Sequence, residues 1–377
     1  MDEPKKHRRR VTARSKGEIA ARPRNRPNTV LDVARLAGVS PSAVSRAFMD
    51  GASISPEKRQ AVIEAARSLG YRPNLLARSL ITGRSKIIGM VVTHFDNMFY
   101  PLIIQELSIA LGLHGYRVLL FITDVSKDFE QIVEELLRYQ VEAVIMGSIT
   151  LSDRSAESCH AAGVAALLLN HKTDSDHISS VTGDNWNSAQ TIAAFLVAGG
   201  HRSFAVVAGL GNTSASRDRE DGFTSYLRQQ GFTSPARAVG YYSFEGSRAA
   251  ARELLSARQQ PEAVFCGNDQ MAFAFIGVAR HEFGLEIGKD ISVVGFDDAP
   301  IAAWPDFSLT TFSQPVDEIV RKTVDALVAM LEDPHRPVIR AVTLGELVVR
   351  TSARIPRSGL IELNGRTIWR RPGGKGR

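Results

Sequence analysis

The chain has 377 residues, 44% of them hydrophobic, so it can form two or three globular units and is not a disordered protein. Two cysteines are too few for a disulfide framework, and no run reaches the ~20 apolar residues of a membrane span. The N-terminus is polar, which excludes a secretory signal, so we expect a cytoplasmic protein. The net charge of +6 is unevenly distributed: residues 1–86 hold 19 basic and 7 acidic residues, whereas residues 87–356 hold 21 basic and 32 acidic residues. This asymmetry indicates that the N-terminal end binds a polyanion.

The first predicted segment is a basic, disordered arm at residues 1–28, which holds ten lysines and arginines against three acidic residues. Such a segment can contact DNA, but it can equally be a solvated charged tail. A misassigned start codon is a further alternative for this stretch. The sequence leaves these possibilities open.

The stretch TVLDVARLAGVSPSAVSRAF, beginning at Thr29, predicts two short helices joined by a tight turn. Thr29 and Asp32 form a capping box for the first helix, and Gly38 supplies the left-handed residue that ends it. Ser40 caps the second helix, with Pro41 at its first position. This spacing is typical of a helix-turn-helix, in which the second helix lies in the DNA major groove.

A third helix is predicted to start at Ser55 and to stop at Gly70, which completes an all-α DNA-binding headpiece over residues 29–73. The outward residues of the second helix are candidate DNA contacts. We expect Arg46 to read a base, since an arginine there can reach guanine O6 and N7, although a phosphate contact is the alternative. Residues 74–86 are predicted as a hinge helix and linker, too short to be stable alone.

From Ile87 onward, short apolar runs alternate with helical patterns, as in IIGMVV, YRVLLFI, SFAVVAG and ISVVGF. Such runs indicate parallel strands covered by helices on both faces. Seven or more units favour an α/β core of two doubly wound subdomains over residues 87–356, followed by a basic tail at 357–377. Ligands of such folds bind beyond the carboxyl ends of the strands.

The sequence gives little support to the hypothesis that this protein is an enzyme. The stretch GLGNTS, Gly209 to Ser214, nearly matches a dinucleotide fingerprint but lacks its third glycine and its acidic partner, so a loop facing the cleft is favoured. No histidines or cysteines have zinc-ligand spacing, and no catalytic activity, cofactor or metal is expected. A free solute-binding protein would share the core, but the helix-turn-helix argues against it.

Several blocks, in order and spacing, make the chain resemble the LacI/GalR (lactose-repressor/galactose-repressor) family of bacterial transcription regulators. They are TVLDVARLAGVSPSAVSRAF, SPEKRQAVIEAARSLGYRPNLLARSL, FCGNDQMA, DISVVGFDD and LTTFSQP. The resemblance implies a periplasmic-binding-protein-like core with a subdomain boundary near residue 185 and a return near residue 315. It also implies a homodimer, with a tetramer left open, that binds a palindromic double-stranded DNA operator and a small-molecule effector. We expect that effector to be a sugar, sugar acid or polyol, and we expect no membrane partner.

The site residues follow from the motifs and the resemblance together. Leu80 matches the family's intercalating leucine, a minor-groove wedge, with packing onto the core as the alternative. The full DNA-binding set is Thr29, Ser40, Pro41, Ser42, Ser45, Arg46, Asn74, Ala77, Arg78 and Leu80. The full effector-binding set is Phe99, Asp184, Arg219, Tyr242, Asn268, Asp297 and Trp304.

Arg219 and Asp297 carry most of the effector prediction. Arg219 stands at the family position of the ligand-binding arginine, and Asp297 directly follows the strand ISVVGF. A guanidinium and a carboxylate together can donate to and accept from neighbouring hydroxyls. An ion pair that merely holds empty loops together is the alternative. Met98 and Asn170 depart from the family pattern, which leaves the effector's identity open.

Overall fold

A computed structural model describes residues 28–49, 51–72, 84–93, 95, 97–123, 129–147 and 158–372. They fall into two units, divided between Gly83 and Arg84. The predicted basic arm, apart from residue 28, and most of the predicted hinge lie outside the described residues. The predicted DNA contacts Asn74, Ala77, Arg78 and Leu80 lie outside them as well.

The first unit contains the three predicted helices, α1 (Val30–Ala37), α2 (Pro41–Ala47) and α3 (Pro56–Leu69). The predicted signals at their ends are confirmed. The Asp32 carboxylate accepts the Thr29 N–H at 3.0 Å, Gly38 has φ 65°, and Ser40 Oγ accepts the Ala43 N–H at 3.2 Å. Val33, Val44 and Val62, one from each helix, are fully buried against one another, so three short helices share one core.

The second unit contains two sheets and the helices that cover them. Its strands are β1 (Ile87–Val92), β2 (Arg117–Ile122), β3 (Ala143–Gly147), β4 (Ala165–Leu169), β5 (Ser179–Gly183), β6 (Phe204–Ala208), β7 (Ala236–Val239), β8 (Ala263–Cys266), β9 (Ser292–Asp297), β10 (Thr310–Ser313), β11 (Arg340–Thr343), β12 (Glu346–Val348), β13 (Leu360–Leu363) and β14 (Arg366–Trp369). Its helices are α4 (Phe99–Leu113), α5 (Phe129–Arg138), α6 (Asn185–Ala198), α7 (Ser214–Gln229), α8 (Phe244–Leu255), α9 (Asp269–His281), a 3-10 turn (Pro300–Ala303) and α10 (Val316–Glu332).

The predicted α/β architecture is confirmed. One sheet has the strand order β11-β5-β4-β3-β1-β2 and is parallel throughout, and the other has the order β13-β14-β12-β10-β9-β8-β6-β7. Met90 and Val91, neighbours on β1, belong to separate apolar clusters on opposite faces of their sheet. Burial on both faces explains why the strand is a continuous apolar run.

The chain passes between the two sheets three times. It leaves the first sheet after β5, returns with α10 after β10, and crosses again between β11 and β12. Gly345 stands at this last crossing, where an added Cβ would collide with the Ser313 carbonyl. The third crossing has no signal in the sequence patterns, because β11 and β12 are only four and three residues long.

The prediction of a basic tail at 357–377 is wrong for residues 360–369, which form the antiparallel hairpin β13–β14 at one edge of the second sheet. The turn is Asn364-Gly365, with φ values of 51° and 74°, a pair that favours tight hairpins. Trp369 is 2% exposed and packs edge-to-face on Phe195, with ring centroids 5.7 Å apart. The apolar inner face of β14 therefore outweighs the basic composition of the segment.

Candidate ligand-binding cleft and nucleic-acid interface

A cleft lies between the two sheets of the second unit, where the carboxyl ends of β1 and β4 face those of β8 and β9. The empty space inside it, including its open mouth, is about 400 Å³. Its walls are formed by Asn97, Phe99, Tyr100, Asn170, His171, Ala215, Arg219, Tyr242, Asn268 and Asp297. Both sheets thus contribute polar groups to one site, as expected for folds of this class.

Arg219 is the cation of the cleft and is only 5% exposed. Its Nε donates to Asn185 Oδ1 at 2.8 Å and its Nη1 to the Gly267 carbonyl at 2.6 Å. The guanidinium carbon lies 3.6 Å from the centre of the Phe296 ring, in cation–π contact. Because these contacts come from three separate elements, the guanidinium is held in one orientation.

Asp297, at the end of β9, faces Arg219 and is 4% exposed. Its Oδ1 lies 3.7 Å from Arg219 Nη1 and accepts from Gln314 Nε2 at 2.6 Å, while its Oδ2 lies 3.5 Å from Asn97 Nδ2. Burial raises the pKa of the Asp297 carboxyl, and the Arg219 charge opposes that rise. Asn97 follows β1, so the carboxylate joins the two sheets across the cleft.

Three polar side chains complete the cleft. Burial, together with the charges of Arg219 and Arg217, lowers the pKa of His171 to about 4, so the imidazole is neutral at pH 7. The buried Asn170 Oδ1 and Asn268 Nδ2 have no hydrogen-bond partner among the described residues. The cleft thus offers a free acceptor and a free donor, which a hydroxylated ligand can satisfy.

Five of the seven predicted effector residues lie together in this cleft: Phe99, Arg219, Tyr242, Asn268 and Asp297. Asp184 and Trp304 do not line it. The Asp184 carboxylate caps α6, accepting the Asn187 N–H at 3.2 Å, and Trp304 is 56% exposed beside the 3-10 turn. Asp184 does follow β5, but its carboxylate is used by its own helix, and the exposed Trp304 ring is no wall of the cleft.

The predicted effector-binding set left out five lining residues, namely Asn97, Tyr100, Asn170, His171 and Ala215. Asn170 and His171 directly follow β4, so the rule that ligands bind at carboxyl ends of strands identifies them. The stretch GLGNTS also has a local purpose, since an added Cβ at Gly209 would overlap the Tyr242 ring. That glycine makes room for a wall of the cleft, and no phosphate is needed to explain it.

The candidate nucleic-acid interface lies on the first unit. Six predicted residues are exposed there, namely Thr29, Ser40, Pro41, Ser42, Ser45 and Arg46, whereas the intervening Ala43, Val44 and Ala47 are buried. Arg59 of α3 donates to the Ala47 carbonyl at 2.8 Å and to the Met49 carbonyl at 3.3 Å. These bonds fix the C-terminal end of α2, so its exposed face is presented rigidly.

The described residues contain no helix long and apolar enough to cross a membrane and no cluster of three potential metal ligands. A family model described as "Bacterial regulatory proteins, lacI family" matches residues 29–74, and one described as "Periplasmic binding protein-like domain" matches residues 193–353.

Individual relatives match almost along their full lengths. The ribose operon repressor of Escherichia coli (strain K12) is 30% identical, over 81% of this chain and 94% of the relative. The lac repressor dimer bound to operator and the anti-inducer ONPF has a TM-score of 0.77 at 27% identity, over 87% of this chain and 99% of that one. The complex of the transcriptional regulator CelR with cellobiose has a TM-score of 0.66 at 27% identity, over 86% and 100%. All three are named as transcription regulators and none as an enzyme.

Proposed function

The chain belongs to the LacI family of DNA-binding transcriptional regulators, which are not enzymes, and from this premise we propose that it is a repressor whose operator affinity is set by an uncharged sugar or polyol. Residues 29–73 serve as the headpiece, 74–86 as the hinge and 87–356 as the effector-binding and dimerising core. The observation that carries this function is the cleft in which Arg219 and Asp297 converge with two unpartnered amide groups.

The charge of the cleft favours an uncharged ligand. The Arg219 cation is matched by the Asp297 carboxylate, and His171 is neutral, so the described lining residues leave no cation for a ligand's own carboxylate. A sugar acid would place its negative charge near Asp297 at a cost in repulsion. Hydroxyl groups both donate and accept, which suits the orphan Asn170 Oδ1 and Asn268 Nδ2. Two relatives bear the names of sugars: the ribose operon repressor and the CelR–cellobiose complex.

A thermal-shift screen of the full chain tests this effector class. The panel contains uncharged sugars and polyols, including D-ribose, cellobiose and D-mannitol, each paired with its acid where one exists, such as D-glucuronate for D-glucose. A ligand at 100 times its Kd adds about 2.7 kcal/mol, so the Tm should rise by roughly 5 °C. Stabilisation by the acids alone, or by none of the uncharged compounds, contradicts the proposal.

On the DNA side, we propose that two headpieces bind the halves of a palindromic operator, in keeping with the two-fold symmetry of a homodimer. Hinge helices, including Ala77 and Leu80, enter the minor groove between them, with Leu80 as the wedge. The effector acts through its different affinity for the states with ordered and disordered hinges.

Arg46→Ala should weaken operator binding by about 1–3 kcal/mol and relax the preference at one base position, because the exposed guanidinium of α2 can bond guanine bidentately. Binding is measured by fluorescence anisotropy on the operator and on its single-base variants at one salt concentration. Arg35→Ala, an exposed arginine on α1, is the matched control and should lose affinity equally on all variants. A uniform loss for Arg46→Ala would assign that side chain to a phosphate instead.

A further inference from the structure

The turn that follows β9 is a conformationally constrained loop at the cleft. Asp297 and Asp298 have φ values of 122° and 57°, two successive residues other than glycine in the region that L-residues disfavour. Such a backbone persists only where surrounding contacts hold it. Because the carboxylate of Asp297 faces the cleft, whatever holds the turn also sets the position of that carboxylate.

Part of the restraint comes from inside the core. Ala299 N–H donates to the buried Asp269 Oδ2 at 2.7 Å, below the turn. Arg350 Nη2 lies 2.7 Å from Asp298 Oδ1, and its Nη1 donates to the Leu309 carbonyl at 2.7 Å. All three contacts belong to the part of the chain that the family model matches, residues 193–353.

The second oxygen of Asp298 is held from outside that region. Arg366 Nη1, at the first residue of β14, donates to Asp298 Oδ2 at 3.1 Å. The side chain of Asp298 is only 7% exposed, while that of Arg366 is 59% exposed and reaches inward from the edge of the sheet. The hairpin that carries it is anchored independently by Trp369, which is 2% exposed.

We propose that the C-terminal hairpin β13–β14 positions the effector site. Arg366 holds the Asp298 side chain and, through the peptide between Asp297 and Asp298, fixes the Asp297 carboxylate in the cleft. This inference rests on the proposed function of the cleft. Arg366 itself is a positioning residue. Each carboxylate oxygen of Asp298 has its own guanidinium, so Arg350 does not replace Arg366. Loss of Arg366 frees one side of a strained turn without emptying the core.

Hydrogen–deuterium exchange of the full chain tests the clamp without any ligand. Arg366→Ala should speed exchange of the amides at residues 298–303 by about two- to fivefold, the range of a partly exposed ion pair, while the amides of β9 are unchanged. Arg366→Lys keeps the charge and should restore part of the protection. The matched control is Arg370→Ala, an arginine equally exposed at 59% whose partner is Glu346. Equal exchange of the turn in the Arg366→Ala and Arg370→Ala proteins overturns the clamp.

A second experiment measures effector binding with the sugar that gives the largest thermal shift in the screen described above. Arg366→Ala should weaken its binding by about the same two- to fivefold, with operator affinity in the absence of sugar unchanged. Faster exchange without any loss of sugar affinity would overturn the positioning role. Asp297→Asn separates the two hypotheses: a normal sugar response in that protein defeats the proposed function of the cleft, whereas the exchange data alone decide whether Arg366 holds the turn.

Discussion

Arg219→Ala should abolish the response to the effector while leaving operator binding by the unliganded protein nearly intact. The substitution removes the cation that faces Asp297 and the donor that fixes Asn185 Oδ1. Removing one partner of a buried ion pair destabilises a protein by about 3–5 kcal/mol, and the effector also loses its guanidinium donor. The response is measured as the change in operator affinity, by anisotropy, when the panel sugar is added.

The matched control is Arg217→Ala, because Arg217 lies two residues earlier on α7 but is exposed, with its Nη1 bonded to the Gly211 carbonyl. It should respond normally. A normal response of the Arg219→Ala protein at ordinary sugar concentration would contradict the assignment of the cleft.

A double variant separates ligand binding from a purely structural ion pair. Asp297→Asn added to Arg219→Ala removes the unpaired buried charge, so the free energy of unfolding should recover in part. If Arg219 binds the effector, the double variant remains unresponsive although it is folded and binds operator. If the pair only holds loops together, the recovered stability brings the response back.

Much of the fold could be predicted because its signals are local. The headpiece follows from Thr29, Gly38 and Ser40, each of which acts on backbone groups within a few residues. The core strands are equally visible, since parallel strands buried on both faces need continuous apolar runs. The hairpin at 360–369 carried a local signal too, in Asn364-Gly365, but its basic flanks concealed a strand whose partners lie in β12.

The site was predicted less completely because its geometry depends on distant contacts. Asp184 directly follows β5 and Asp297 ends β9, yet one carboxylate caps its own helix and the other faces an arginine from α7. Nothing local distinguishes them. His171 becomes a neutral cleft residue only because burial and two arginines, brought near by the fold, lower its pKa. Sequence spacing indicates which loops reach the cleft, but not which atoms remain unpartnered there.

Gly222→Ala should lower both the stability of the core and its affinity for the effector. Gly222 lies three residues after Arg219 on α7, where the backbone of α6 passes so closely that an added Cβ would collide with the Trp186 carbonyl. Main chain cannot rotate away as a side chain can, so the two helices must separate. Overpacking of this kind costs about 1–3 kcal/mol. Asn185 is next to Trp186, so it would move away from Arg219 and weaken the hydrogen bond that Arg219 Nε donates to Asn185 Oδ1 at 2.8 Å.

Gly277→Ala provides the control, because Gly277 is also inside a helix, α9, but an added Cβ there meets no atom within 4 Å. The same chemical change should stabilise that helix by about 0.5–1 kcal/mol, since alanine loses less backbone entropy than glycine. Urea unfolding measures the two changes in free energy, and the thermal shift with the panel sugar measures binding. We expect the free energy of unfolding to fall for Gly222→Ala and to rise for Gly277→Ala. Both variants gain helix propensity, but of these two positions only Gly222 lies against the backbone of α6. If both variants gained stability, the close approach of α6 and α7 would not be what fixes Arg219 against Asn185.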